Sequence, residues 1–326
     1  MKLLDAIAKN NFVVIGRAGM DMVAHPPGTR SEDALSFTAS LGGSAANTAA
    51  GICKFGGKAS LVTCVSDDSV GRFCLNQLDA YGIGRKHVRN VGGEFRNSLA
   101  VYESRVTDHQ SVIYRNGAAD FQMNNSDVEA VDFASFGAVI TAGTVFAAEP
   151  SRSATFRAFE LASRAGVPII FDVDYRPYSW PSAEIASQVL SRAAGDCDMI
   201  VGNDEEFGFM AGGLDKGLDK ARELAGGGAA IVVYKMGPEG AVAFADGEEL
   251  RTGIYPAAAL KPTGAGDSFM AGLLSGLADG LTVRDAVLRG SACASIVVSR
   301  PGCAPAMPTQ SELEAFLATH PGPTPV

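Results

Sequence analysis

The stretch from Lys261 to Phe269 combines residue types that could bind an anion and move a proton beside it. It reads Lys-Pro-Thr-Gly-Ala-Gly-Asp-Ser-Phe, and the apolar pattern after it predicts a helix that begins near Asp267. A Gly-Ala-Gly turn at a helix N-terminus leaves N–H groups exposed, which favours an anion there. A carboxylate beside that anion would repel it, unless it is a general base that deprotonates a hydroxyl next to a phosphoryl group. The alternative is that Asp267 is only a helix N-cap.

Two earlier places in the chain carry polar groups next to glycines. Residues 11–16 are an apolar segment that predicts a buried strand, and Asp21 follows its end, where α/β sheets bind ligands. Gly42-Gly43 opens a segment of small residues that includes Asn47, and this predicts a helix with a glycine-rich N-terminus facing a polar ligand. The alternatives are a turn acid at Asp21 and plain close packing at the two glycines.

From about residue 137 short apolar segments alternate with amphipathic ones. Helices are predicted over 151–165, about 182–194 and about 204–225, with strands between them. This alternation implies right-handed β-α-β crossovers and a mostly parallel sheet, whose carboxyl edge is the usual ligand site. The polar residues that should converge at that edge are Asp172, Asp174, Arg176, Asn203, Glu206, Lys235 and Gly237.

Other segments do not follow this alternation. Residues 97–106 and 111–115 have the two-residue period of strands, and we assign them, with residues about 16–40, to a small β lid. The C-terminal part is predicted to form two helices, about 267–279 and 282–299, followed by a proline-rich tail.

Composition excludes several classes of protein. The net charge of −9 argues against nucleic acid or an anionic membrane as the main partner. The six cysteines are scattered without a Cys-x-x-Cys pair, which predicts reduced thiols and neither disulfides nor a zinc site. No apolar run approaches the ~20 residues of a membrane span, and the first residues lack a signal-peptide core. We therefore expect a cytoplasmic protein.

Four motifs in this order resemble those of the PfkB (ribokinase-like) carbohydrate kinases. They are Gly42-Gly43-x-x-x-Asn47, Asn203-x-x-Glu206, the turn Lys235–Gly240, and Thr263-Gly-Ala-Gly-Asp267. The resemblance covers essentially the whole chain. It implies one kinase domain over 1–326, with a three-layer α/β/α fold, a mostly parallel central sheet, and a small β-sheet lid formed by about 16–40 and 97–120.

Within this family the chain resembles most the bacterial kinases that phosphorylate 5-dehydro-2-deoxy-D-gluconate in myo-inositol catabolism. Segments 16–21, 113–120 and 172–180 carry this likeness. Related 2-keto-3-deoxygluconate kinases have substrate arginines at positions matching Arg115 and Arg176, and a guanidinium suits the carboxylate of a sugar acid. The alternatives are a 2-keto-3-deoxygluconate kinase, a fructokinase or ribokinase, or, more remotely, a non-catalytic sugar or nucleotide sensor; the two arginines could also lie in solvent.

The resemblance implies a role for each matched residue. Asp267 would be the general base, and the amides of Gly264, Ala265 and Gly266 would form an anion hole. The sugar acid would contact Asp21, Gly42, Gly43, Asn47, Tyr102, Arg115, Asp174 and Arg176. ATP would contact Asn203, Lys235, Gly237, Gly240, Gly264, Gly266, Cys293 and Ile296. Asn203 and Glu206 would hold Mg²⁺ through water, and two copies would form a homodimer through the lid.

Lys261 departs from the family's pattern. Many members have an acid at the matching position, where it helps to build a monovalent-cation site. A fixed ammonium could take the place of potassium, so we hypothesise activity that is independent of potassium. The alternative is that Lys261 points to solvent and that backbone carbonyls bind the cation.

Overall fold

The computed structural model describes residues 3–105, 107–320 and 322–325. Met1 and Lys2, on which the signal-peptide expectation partly rests, lie outside this range, as does Val106 at the end of the predicted strand 97–106. Within the described part, no helix is long and apolar enough to cross a membrane.

The strands and helices of the described residues follow one another along the chain. The strands are β1 (Asn11–Ile15), β2 (Gly19–His25), β3 (Ser36–Gly42), β4 (Lys58–Ser66), β5 (Gly84–Val91), β6 (Leu99–Tyr102), β7 (Ser111–Tyr114), β8 (Ala138–Ala142), β9 (Ile169–Asp172), β10 (Met199–Asn203), β11 (Ile231–Lys235), β12 (Ala241–Ala245) and β13 (Glu248–Thr252). The helices are α1 (Leu3–Ile7), α2 (Ser44–Lys54), α3 (Ser69–Ala80), α4 (Asn125–Glu129), α5 (Ser151–Arg164), α6 (Ala183–Gly195), α7 (Asp204–Ala211), α8 (Gly217–Gly226), α9 (Ala265–Ala278), α10 (Val283–Val298) and α11 (Gln310–Thr319).

A large sheet forms the centre of the molecule. Its order, within the described residues, is β13-β12-β11-β10-β9-β8-β1-β4-β5, and its pairs are parallel except β11–β12 and β12–β13. Neighbouring residues of a strand point to opposite faces, so Val13 packs with the α5 and α6 layer while Phe12 packs with α2 and α9. The predicted three-layer α/β/α fold with a mostly parallel sheet is confirmed.

A second sheet has the order β3-β2-β6-β7. β2 pairs antiparallel with β3 and parallel with β6, and β6 pairs antiparallel with β7. These strands lie in or next to the ranges that the sequence assigned to a lid. Residues of β6 and β7 line the cavity described below.

Several predicted elements differ from the observed ones. The single helix predicted over 204–225 is two helices, because the chain turns at Gly212, whose φ of 73° ends α7 in the left-handed region. The C-terminal tail contains α11, whose capping box pairs Thr309 with Glu312. The strands β5, β12 and β13 were not predicted, and the last two form the antiparallel edge of the large sheet.

Candidate active site

A cavity of about 950 Å³ opens at the carboxyl ends of the parallel strands, beside the small sheet. Strand-end residues of β9, β10 and β11 line it, together with the first turn of α9. Of the predicted site residues, all line this cavity except Gly42, Cys293 and Ile296. The cavity therefore lies at the edge where the carboxyl-edge rule for parallel sheets predicts a ligand site.

The anion loop, residues 262–266, leads directly into α9. Gly264 has a φ of 84° and is the N-cap residue, and no side chain in the described part of the chain caps the first turn. A Cβ at this position would be strained by the left-handed backbone and would lie 3.1 Å from the Cys303 sulfur. The helix begins at Ala265, two residues earlier than expected, so Asp267 is inside the first turn. The alternative in which Asp267 is the N-cap is therefore wrong.

Asp267 is held beside these amides by a residue from the other end of the chain. Its Oδ2 accepts a hydrogen bond of 2.8 Å from Asn47 Nδ2 on α2. Burial raises the pKa of Asp267 to about 6, and the Asp174 carboxylate adds to the effect, whereas the Asn47 hydrogen bond acts against it. A carboxylate with such a pKa is ionised near neutral pH and can still accept a proton.

Two buried oxygen atoms near Asp267 have no hydrogen-bond partner among the described residues. They are Asp21 Oδ1 on β2 and Asn47 Oδ1 on α2, and both residues are buried and line the cavity. Burial also raises the pKa of Asp21 to about 6. A Cβ at Gly42 would collide with the Asp21 carboxylate. Gly42 does not line the cavity, and its lack of a side chain leaves space for Asp21. Unpaired buried acceptors are costly, and hydroxyl groups of a ligand would satisfy them.

The two predicted arginines line the cavity in different ways. Arg115 is buried, pairs with Asp120 through Nε and Nη2, and donates 2.9 Å to Thr144 O from Nη1. Arg176 keeps 45% of its side chain exposed and lies 2.7 Å from Asp174. Burial acts to raise the pKa of Asp174, but the Arg176 guanidinium outweighs it and holds this pKa below its ordinary value. Both arginines are thus already ion-paired, and Arg115 does not lie in solvent.

Asn203 and Glu206 form a capping box at the start of α7. Asn203 Oδ1 accepts from Glu206 N, and Glu206 Oε2 accepts from Asn203 N, both at 2.8 Å. No cluster of three or more His, Cys, Asp or Glu residues in the described ranges could hold a metal directly. The oxygens of the pair retain free lone pairs, so they fit Mg²⁺ bound mainly by water and phosphate and not a metal enclosed by protein ligands.

Lys235, the register partner of Asn203 on the neighbouring strand, reaches the anion loop. Its Nζ lies beside the first turn of α9. It would be 3.6 Å from a Cβ placed at Gly266, and it is 5.4 Å from the ring centre of Phe269. Burial raises the pKa of Asp172 to about 8, although the Lys235 ammonium acts against this. Gly237 and Gly240 follow Lys235 in the chain and also line the cavity. A polyanion would therefore meet the Lys235 ammonium beside the first turn of α9.

The predicted nucleotide contacts on α10 need correction. Cys293 and Ile296 are buried on the far side of this helix, where Cys293 packs against Gly272 of α9 and Ile296 packs near Leu313 of α11. The 3.6-residue period instead turns another face of α10 to the cavity. The residues of that face are Val287, Ser291, Ala294, Ser295 and Val298.

Lys261 is fully buried beneath the anion loop. Its Nζ donates to Thr263 O and, at 3.2 Å, to Val297 O at the end of α10. Burial lowers the pKa of Lys261. The alternative in which this side chain points to solvent is therefore wrong, and the ammonium occupies a position where backbone carbonyls converge.

Arg17, which the sequence analysis did not select, lines the cavity between β1 and β2 and is buried. The strand-end rule that indicated Asp21 applies equally to Arg17, four residues earlier. Tyr102, which was predicted, lies at the wall, with its hydroxyl 3.6 Å from the Cys303 sulfur. The cavity thus places a carboxylate, the first turn of a helix and an ammonium together, an arrangement that suits the transfer of a phosphoryl group to a hydroxyl.

The comparison with known proteins identifies the family. The model of the pfkB family carbohydrate kinases matches residues 9–310. The 5-dehydro-2-deoxygluconokinase of Geobacillus kaustophilus is 36% identical over 315 residues, 95% of this chain and 94% of that protein. The enzyme of the same name from Photobacterium profundum is 36% identical over 314 residues, 94% of this chain and 95% of that protein.

A solved structure has a similar fold. A double mutant of the fructokinase from Vibrio cholerae O395, with fructose, ADP and potassium ion bound, has a TM-score of 0.82 at 24% identity, over 94% of this chain and 98% of that one. The chain belongs to the pfkB family of carbohydrate kinases. The predictions of the family and of a carbohydrate kinase are confirmed.

Proposed function

We propose that this kinase transfers the γ-phosphoryl group of ATP to a hydroxyl of a keto-deoxy sugar acid, with 5-dehydro-2-deoxy-D-gluconate as the preferred substrate. The observation that carries the reaction type is the Asp267 carboxylate, held by Asn47 at the uncapped N-terminus of α9. The relatives at 36% identity over nearly their whole length support the choice of substrate.

Each step of the transfer has a group in the cavity to perform it. Asp21 and Asn47 would accept hydrogen bonds from sugar hydroxyls and so direct one hydroxyl at Asp267. Asp267 would take the proton of that hydroxyl as it attacks phosphorus. The amides of Gly264, Ala265 and Gly266, with the Lys235 ammonium beside them, would stabilise the charge on the phosphoryl oxygens. Positioning and charge stabilisation are most of what phosphoryl transfer requires.

A magnesium ion would be held at Asn203 and Glu206 through water. When bound, it would neutralise charge on the phosphates. Glu206 suits this role because its carboxylate is fixed by the amides of Asn203 and Tyr175, at 2.8 and 3.3 Å. ATP would lie along Lys235, Gly237 and Gly240, with its base toward the cavity face of α10.

A panel of acceptors tests the proposed function. ADP release should be fastest with 5-dehydro-2-deoxy-D-gluconate and slower with 2-keto-3-deoxygluconate, D-fructose and D-ribose, each assayed at several concentrations with saturating Mg²⁺ and ATP. A higher kcat/KM with either neutral sugar would contradict the proposed substrate class. Absence of ADP release with every acceptor would instead favour a sensor.

The pKa values of the site give a pH dependence. Because Asp267 must be ionised to accept the proton, and burial raises its pKa to about 6, kcat/KM should rise with pH through about 6 and level off above about 7. Asp21, whose pKa is also about 6, should gain its charge over the same pH range and make this rise of kcat/KM steeper. Rates measured from pH 4.5 to 8 test this. A rate that stays constant down to pH 5 would mean that the base has an ordinary carboxyl pKa.

We propose further that the chain is one kinase domain, that its small sheet acts as a lid, and that the lid forms a homodimer. Ile113 of β7 lines the cavity, while its neighbours Val112 and Tyr114 are 50% and 60% exposed on the other face. An apolar outer face of this kind suits a second copy. Sedimentation analysis of the wild type and of Val112→Glu tests the dimer, since the variant should be monomeric.

A further inference from the structure

Three guanidinium groups line the cavity, and they differ in their partners. Arg115 is paired with Asp120 and Arg176 with Asp174. Arg17, in contrast, forms no ion pair within 4.0 Å among the described residues, and its side chain makes one hydrogen bond, from Nη1 to Ser98 Oγ at 2.9 Å. The guanidinium that sequence reasoning overlooked is therefore the one that remains available to an anion.

The surrounding structure is built to hold Arg17 in this position. The residue is only 8% exposed, and a Cβ at Gly19 would lie 2.7 Å from Arg17 Nη1 and 2.9 Å from the Ser98 carbonyl oxygen, so a larger residue there would displace the guanidinium or the backbone. Its own carbonyl accepts from Ala46 N in the first turn of α2, at 3.3 Å. A buried guanidinium without an ionic partner costs free energy, which a bound anion would recover.

The position of Arg17 decides which anion it would meet. The phosphate groups of ATP would lie at the anion loop and Lys235, on the opposite side of the substrate hydroxyl. Arg17 lies instead in the loop between β1 and β2, against Gly43, where a Cβ would collide with the Arg17 carbonyl oxygen. It lines the cavity together with Asp21 and Asp174, and its charge acts on both. Asp21, Gly43 and Asp174 are among the residues expected to contact the sugar acid. An anion at this place belongs to the acceptor, and a carboxylate matches the two-pronged donor geometry of a guanidinium.

We propose that Arg17 is the main anchor of the substrate carboxylate and sets the preference for sugar acids over neutral sugars. This inference rests on the proposed function, and it assigns to Arg17 the role that the sequence suggested for Arg115 and Arg176. Since those two arginines already have carboxylate partners, their charge is largely compensated before the substrate arrives.

A different role for Arg17 makes a different prediction. Its charge lowers the pKa of Asp21, against the larger effect of burial, so Arg17 could act only by keeping that carboxylate ionised. Loss of Arg17 would then weaken every sugar that binds Asp21, acidic or neutral. An anchor for the carboxylate affects the acidic substrate alone.

The test compares two acceptors that differ only in the charged group. One is 5-dehydro-2-deoxy-D-gluconate, and the other is the ketose in which CH2OH replaces its carboxylate. For Arg17→Met we expect a KM for the acid about 30-fold higher, within the range of a charged hydrogen bond. The kcat for the acid and the KM for the ketose should change less than about threefold. Equal weakening of both acceptors would overturn the proposal.

Two further variants keep the test decisive. Arg17→Lys retains the charge but loses the two-pronged donor geometry of the guanidinium, so the preference for the acid over the ketose should fall about fivefold. This variant can be measured even if Arg17→Met does not fold. An unchanged preference would contradict the role of Arg17 as the carboxylate anchor. Ser98→Ala removes the hydrogen-bond partner of Arg17 without removing charge and should shift the preference less than about threefold. Melting temperatures of all variants report on folding.

Failure of this inference differs from failure of the proposed function. A wild-type enzyme that phosphorylates the ketose and not the acid would contradict the proposed function itself. A wild-type enzyme that prefers the acid, together with an Arg17→Met variant that keeps the same preference, would contradict only the role of Arg17.

Discussion

Replacing Asp267 with asparagine should lower kcat by about three orders of magnitude and leave the KM for ATP within about threefold. The side chain keeps its size, and an amide oxygen can still accept from Asn47 Nδ2, so the geometry of the first turn of α9 is preserved. What is lost is the proton acceptor. Initial rates at saturating acceptor and ATP, together with nucleotide binding by calorimetry, measure the two parts separately.

The same variant should be more stable than the wild type at pH 7. Burial raises the pKa of Asp267 from 3.8 to about 6, so the native state binds a proton more tightly than the unfolded state. The free energy of unfolding therefore falls as the pH rises from about 4 to above 6 and this group loses its proton. Asparagine avoids this cost of about 3 kcal/mol, so the melting temperature should rise by a few degrees.

Asp279→Asn, at the C-terminal end of the same helix, is the matched control and should keep its kcat. It is an exposed acid that pairs with Arg289 at 2.8 Å, outside the cavity. If Asp267→Asn retained more than about a tenth of the wild-type rate, Asp267 would not be the general base. A variant that is both slow and less stable would point to a structural role.

The parts of the site that depend on the backbone could be predicted from the sequence. Parallel strands bring their carboxyl ends to one edge, so Asp172, Asn203 and Lys235 had to meet there whatever their side chains did. Glycines before a periodic apolar segment located the anion loop within two residues of its observed helix start. These predictions rest on the order of the elements along the chain, which a sequence states directly.

The parts that depend on side-chain partners could not be predicted in this way. Nothing in the segment around Arg115 shows that Asp120 pairs with its guanidinium. Nothing near Arg17 shows that it lacks such a partner among the residues that the structure describes. The error at Cys293 and Ile296 has a similar cause, because the second half of α10, from Ser291 to Val298, is small or apolar on every side and does not reveal which face meets a ligand. The antiparallel strands β12 and β13 were missed because they interrupt the β-α-β rhythm.

Replacing Lys261 with methionine should lower kcat/KM by about 100-fold in any salt. The ammonium is the donor that joins Thr263 O, within the anion loop, to Val297 O at the end of α10. Without it, two buried carbonyls lose a partner at a cost of about 1–3 kcal/mol each, and the loop that orients the amides of α9 is released. Steady-state kinetics and melting temperature measure both effects.

Lys54→Met is a matched control for the loss of a lysine that binds carbonyls. Lys54 Nζ donates to Ala304 O, Pro305 O and Met307 O, at 3.2, 3.2 and 2.6 Å, and does not line the cavity. This variant should lose stability and keep kcat/KM within about threefold. An equal loss of activity in both variants would mean that Lys261 acts only through general stability.

The ammonium also predicts how the enzyme responds to potassium. If Lys261 supplies the fixed positive charge beneath the anion loop, the wild-type rate should be the same in 100 mM KCl as in choline chloride, within about 20%. Lys261→Ser should be slow in choline chloride and recover about tenfold in KCl, because the smaller side chain leaves space where carbonyls converge on a cation. Activation of the wild type by potassium would show that a cation binds elsewhere. A serine variant that potassium does not rescue would show that the lysine holds the loop by its own hydrogen bonds and not as a substitute for a cation.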